Sequence, residues 1–292
     1  MKKILILDSS QISAYYTCPV LWTFEYKNNL TVSNQIDEPI MAGTYGHELL
    51  DRYYKARCLG EPSARAANIA LAFLPPADFM LSDELIKLIR ARFNHYWMTY
   101  ANNDFDPLFK ETYAIGIDNN GLPVDDAVKT PLVEQGFSYP LLDTKEYLFI
   151  LEGKIDLICN YHGGKAIVDH KFQFRKRDHY KKRIQFKNYC LATNINTLIV
   201  NYIRLHKELS KDTLVRMPCS FNPFEIQVWK GELIEIYKRI ANEKIAHNWD
   251  SCEGKYGYPC KFTKICDEWP NSATANAVKA QYYQIKKEWK PW

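Results

Sequence analysis

The chain has 292 residues, of which 47% are hydrophobic and 25% charged, with a formal net charge of +4. This composition excludes disordered and collagen-like classes and allows one large domain, or one domain with appendages. So small a net charge does not by itself imply nucleic acid, and no apolar run is long enough to cross a bilayer, so no membrane partner is expected.

The opening MKKILILDSS reads as a first β-strand, because Asp8 stops the apolar run short of a signal-peptide core. The expected location is therefore cytoplasmic, where thiols stay reduced and eight Cys call for an explanation other than disulfides. Asp8, Ser9 and Ser10 cap a short helix that should end near Cys18-Pro19, since Pro disfavours helix in the residue before it. Met41 to Cys58 reads as a helix closed by Gly60 and Pro62, with His47 in its first turns. Taken alone, His47 is more readily read as a core or surface residue than as a ligand. Helical patterns at about Ser63–Phe73 and Ser82–Asn102 read as scaffold, and residues 103–130 as irregular structure or a hairpin.

Leu132 to Leu141 and Tyr147 to Ile158 form an expected antiparallel pair, and Gly163-Gly164 turns the chain into a third strand, Lys165 to Lys171. A helix over Asp178–Ala192, a buried strand over Thr197–Leu205, a long helix over Pro223–Asn248 and a last helix from Ser272 to Trp292 follow. The sum is an α/β fold: a central mixed β-sheet flanked by helices. Between Lys171 and Lys187 there are eight Lys or Arg and one Asp, a local excess suited to phosphates.

Chemistry concentrates from Leu151 to Tyr189. Asp156 and Asp169 read as strand-end carboxylates able to share one divalent cation, Mg²⁺ or Mn²⁺, with the main-chain carbonyl of His170 as a further oxygen. Lys171 lies two residues from Asp169, on the same strand face, where an ammonium can orient a water or stabilise charge on phosphate. Gln185 and Tyr189 are four apart on one helix face, where they position substrate or simply form a structural pair. Asp-x-Lys alone is a weak signal. The ordered set of carboxylate, turn, Asp-x-Lys and basic helix with Gln-x-x-x-Tyr is much more specific.

The segments SAYYTCP, GTYGHELLDRYY, GKIDLI, AIVDHKF and QFKNY and the terminal Cys loop, in that order, resemble the PD-(D/E)XK nuclease superfamily with its restriction-endonuclease-like core. More narrowly they resemble its RecB-type exonuclease branch, including phage exonucleases and CRISPR adaptation nucleases that carry an iron–sulfur cluster. The resemblance implies that His47 joins Asp156 and Asp169 as a metal ligand, and that Gln185 and Tyr189 belong to the catalytic set. It also implies a [4Fe–4S] cluster on Cys18, Cys252, Cys260 and Cys266, stapling a helical subdomain; zinc in the same four thiolates is the competing expectation.

The expected function is a metal-dependent DNA exonuclease acting on single-stranded or free ends in recombination, repair or end processing, in the host cytoplasm if phage-encoded. Arg175, Lys176, Arg177, Lys181, Lys182 and Arg183 would guide the DNA backbone. Recombination or CRISPR-adaptation proteins are the expected partners. The alternative is a non-catalytic DNA-binding subunit of such a complex. The expected division is an N-terminal helical part over 1–130 contributing Cys18 and His47, a nuclease core over 131–222, and a C-terminal helix and cysteine loop over 223–292.

Overall fold

The computed structural model describes residues 2–33, 38–117, 123–175, 180–210, 213–253, 259–268 and 272–286. Strand β1 (Lys3–Leu7) leads into α1 (Ser9–Thr17), whose N-cap Asp8 accepts the Gln11 backbone N–H, as the Asp-Ser-Ser signal predicts. The helix stops at Cys18 and restarts at once as α2 (Pro19–Trp22), because Pro is well suited to a first helical turn. Strand β2 (Leu30–Val32) precedes α3 (Glu38–Cys58), α4 (Ser63–Leu71) and α5 (Asp83–Tyr100). Then come β3 (Asp106–Pro107), the paired β4 (Phe109–Ile117) and β5 (Pro123–Pro131), β6 (Val133–Asp143), β7 (Tyr147–Tyr161) and β8 (Gly164–Gln173). The β7–β8 turn is two residues, His162 and Gly163, both with positive φ.

The rest of the chain runs α6 (Ile184–Thr193), β9 (Thr197–Arg204), β10 (Leu214–Ser220), α7 (Pro223–Ala241), α8 (Thr263–Asp267), α9 (Ser272–Tyr282) and β11 (Tyr283–Ile285). Three expected helices differ. Helix α6 begins only at Ile184, after a 3-10 turn at Tyr180–Lys182, and residues 176–179 lie outside the described ones. Helix α7 stops at Ala241 instead of Asn248, where Glu243 takes a left-handed conformation that ends the hydrogen-bond run. The expected helix from 272 ends at Tyr282, and β11 then pairs antiparallel with β2; residues 287–292 lie outside the described ones.

Seven strands of the described residues form one mixed sheet with β7 at its centre. Residues 148–151 of β7 pair with both β1 and β6, and Leu157 with both β6 and β8. So β1 and β8 lie on the same side of β7, at opposite halves, and the strand is unpaired on that side between Leu151 and Leu157. One face of the sheet packs against α1, α6 and α7 around Phe149, Leu198 and Trp229. The other packs against α3, α4 and α5 around Tyr53, Phe93 and Val168. A third, smaller core joins chain start to chain end: Val20, Phe24 and Leu30 pack with Phe262, Ile265, Cys266, Ala275 and Tyr283. Apolar packing, the β2–β11 pairing and the ion pairs of Glu25 with Lys261 and Lys286 join these two ends, and the expectation of an iron–sulfur-stapled subdomain is corrected accordingly. Among the described residues no helix is long and apolar enough to cross a membrane.

Candidate metal centre

The two expected carboxylates are not at strand ends; both lie inside long strands, where the β7–β8 ladder opens. Its last register pair is Leu157 with Val168, so Asp156 and Asp169 occupy the next, unpaired rung. There the His170 backbone N–H, freed from the ladder, donates to Asp156 Oδ2 at 2.7 Å. The facing of β7 also changes across Asp156: Ile155 packs in one core and Leu157 in the other.

Helix α3 brings His47 over this gap. Gly46 sits so close to the sheet that a Cβ there would lie 2.3 Å from the Phe172 ring, so only glycine lets the helix approach at this point. His47 Nδ1 comes to 3.4 Å from Asp156 Oδ2. Next to Asp169, Lys171 Nζ lies 2.6 Å from Oδ2, while Asp169 Oδ1 is fully buried without a hydrogen-bond partner. The His170 ring is held in the interior by Asn201 at 2.7 Å and by stacking on Tyr54. Tyr189 is buried, accepts from Gln185 Nε2 at 2.6 Å and donates to the Lys154 carbonyl at 2.7 Å, so this pair braces β7 two residues before Asp156.

Glu134 of β6 belongs to the same cluster and is not singled out by sequence reasoning. The ligand atoms of His47, Glu134 and Asp156 all lie within 4.8 Å of one another. Glu134 stands opposite Asp156 between the register pairs Val133–Leu157 and Gln135–Ile155, and adopts φ 51°, a left-handed conformation uncommon outside glycine. Counting back from the β6–β7 turn would set Gln135 against Asp156. A bulge between Pro140 and Leu142 slips the register by one and brings Glu134 there instead. Glu134 also forms an ion pair with Lys154.

Electrostatics follow from burial. Asp156 is raised to about 7, first by burial and then by the neighbouring Asp169. Burial also raises Glu134, with the Asp156 charge adding to it, and lowers His47, with Lys171 adding to that. Carboxylates crowded into a largely buried gap, with an imidazole nitrogen beside them, are a donor set that fits a hard divalent cation such as Mg²⁺ or Mn²⁺. Of the expected DNA-guiding residues, Arg175, Lys181 and Lys182 are exposed and Arg183 stacks its guanidinium over Tyr180; Lys176 and Arg177 lie outside the described residues.

The expected [4Fe–4S] cluster is corrected. Cys18, Cys252, Cys260 and Cys266 do line one pocket, but all are free thiols and no three of their sulfurs lie within 4.8 Å of one another. Burial raises Cys252, Cys260 and Cys266, the last to about 12, and the neighbouring thiols add to the rise. Among the described residues the group of side chains placed to hold a metal is His47, Glu134 and Asp156.

A mixed sheet opened at its central strand, with carboxylates, an imidazole and a lysine in the gap, supports a metal-associated activity of nuclease type. The chain belongs to the PD-(D/E)XK nuclease superfamily, whose family model matches residues 9–267. That membership supports interaction with nucleic acid in general, and the family match does not extend to the iron–sulfur branch that sequence analysis expects. No curated protein sequence matches the chain. Among solved structures it is similar to one described as the crystal structure of SSO0001, at 10% identity and a TM-score of 0.39, covering 89% of this chain and 85% of that one.

Proposed function

We propose that the protein is a divalent-metal-dependent DNA exonuclease that hydrolyses phosphodiester bonds at single-stranded ends. The observation that carries this reading is the meeting of His47, Glu134 and Asp156 ligand atoms within 4.8 Å, beside buried Asp169 and its Lys171 partner. In this reading His47, Glu134, Asp156 and Asp169 hold Mg²⁺ or Mn²⁺, with the His170 carbonyl as a further oxygen. When bound, such a cation supplies Lewis-acid stabilisation of the phosphate and lowers the pKa of an attacking water. Lys171 holds Asp169 in place and offers its ammonium to the water or to charge developing on the phosphate. Tyr189 and Gln185 fix the backbone that carries Asp156. The exposed Arg175, Lys181 and Lys182 guide the DNA backbone.

Residues 131–222 then form the catalytic core, with 1–130 contributing His47 and 223–292 closing the fold against the chain start. The reading is tested with single-stranded and duplex DNA, labelled at either the 5′ or the 3′ end, in Mn²⁺, with Lys171→Ala as control. Loss of nucleotides from an end by the wild type only, slowed at least a hundredfold in the variant, is the expected result. Equal DNA binding by both proteins with no degradation by either would sink the enzyme reading.

A further inference from the structure

We propose that Lys154 competes with the divalent cation for Glu134, making it a positioning residue that sets how tightly the metal centre loads. The inference rests on the nuclease reading above and adds a residue to it. Lys154 lies on β7 two residues before Asp156, and its ammonium pairs with Glu134 across the β6–β7 ladder. The Glu134 carboxylate is only 16% exposed, while the Lys154 side chain is 42% exposed. The carboxylate is therefore fixed and the ammonium has room to leave.

The same Glu134 carboxylate offers an oxygen to the group formed with His47 and Asp156. An ammonium and a divalent cation brought to one carboxylate repel each other, so occupation by one weakens the other. Without a cation, Lys154 neutralises part of the negative charge that Glu134 and Asp156 gather in the gap; when a cation arrives, the ion pair must loosen. Tyr189 restrains only the Lys154 carbonyl, through its hydroxyl, and leaves the side chain to move.

The competition makes an unusual demand: deleting a charged residue at the centre must improve cation binding. Mn²⁺ affinity is measured without DNA, from free Mn²⁺ in electron paramagnetic resonance titrations. Wild type, Lys154→Met, Lys154→Arg, Glu134→Gln and the double variant Glu134→Gln/Lys154→Met are compared, with thermal unfolding in EDTA to verify folding. Lys154→Met should bind Mn²⁺ at least about threefold more tightly than wild type, the scale of a partly exposed ion pair. Lys154→Arg should stay near wild type, Glu134→Gln should bind more weakly, and the gain from removing Lys154 should shrink once Glu134 is gone. A folded Lys154→Met with unchanged or weaker Mn²⁺ affinity overturns the inference, as does the same gain in the Glu134→Gln background. Wild type that binds no Mn²⁺ overturns the metal-centre reading itself, a result distinct from both.

Discussion

Burial and the neighbouring Asp169 charge raise the Asp156 carboxyl far above the usual carboxylate range. Its folded-state value near 7 lies well above the ordinary carboxylate value near 3.9, so the folded protein binds a proton that the unfolded chain releases. Stability from this group is therefore present below about pH 4 and is lost as pH rises toward 7. The effect is on the order of a few kcal/mol in the absence of metal. His47 and His170 are shifted down by burial and contribute the opposite slope below their ordinary value of about 6.5, so the comparison must isolate Asp156. Urea unfolding in EDTA should show wild type losing stability relative to Asp156→Asn between pH 5 and 8. Parallel pH profiles for the two proteins would show that Asp156 does not carry the proton. Added Mn²⁺ should reverse the trend, restoring most where the carboxylate is already ionised.

At the scale of elements, the decisive contact is the approach of α3 to β8 at Gly46. Gly46→Ala places a methyl inside the Phe172 ring, and relief requires the helix or the ring to move. Overpacking of this kind costs about 1–3 kcal/mol, and a shifted helix carries His47 away from Asp156. The variant is expected to lose thermal stability and Mn²⁺ affinity together; unchanged Mn²⁺ affinity in a destabilised variant would detach the helix approach from the centre. The elements around this contact were largely legible beforehand. Helix α3 and the β6–β7–β8 run follow from periodicity and turn residues, within a few residues at each end. Glu134 was not legible, because its place opposite Asp156 depends on one extra residue at a bulge that alternation does not reveal. Nor was the end of α7: nothing local in Asn242 or Glu243 forbids helix, and a left-handed residue decides it. The third strand–helix detail, β11, was hidden because its partner β2 lies about 250 residues away and no local pattern reports so distant a pairing.

At the scale of the molecule, sequence and structure diverge over how the chain ends are held. Cysteine spacing and resemblance led to a metal staple, whereas the fold shows Phe262 fully buried between Phe24 and Tyr283, with ring centroids 5.5 and 5.4 Å away. Cys18 and Cys266 join this core as small buried side chains. Phe262→Ala should cost about 3–5 kcal/mol and open the terminal subdomain to protease, as judged by denaturation and limited proteolysis. A variant as stable and as protease-resistant as wild type would mean that apolar packing is not what joins the ends.

The backbone of Glu134 has a consequence for how the sequence can change. A left-handed conformation costs an ordinary residue about 1 kcal/mol or more, and glycine adopts it freely. Glu134→Gly should thus raise stability, while stripping an oxygen donor from beside His47 and Asp156. In the proposed reading, thermal resilience alone favours glycine here and metal binding favours the carboxylate. Melting temperature and Mn²⁺ affinity of Glu134→Gly, measured side by side, should move in opposite directions; a fall in both would remove the conflict.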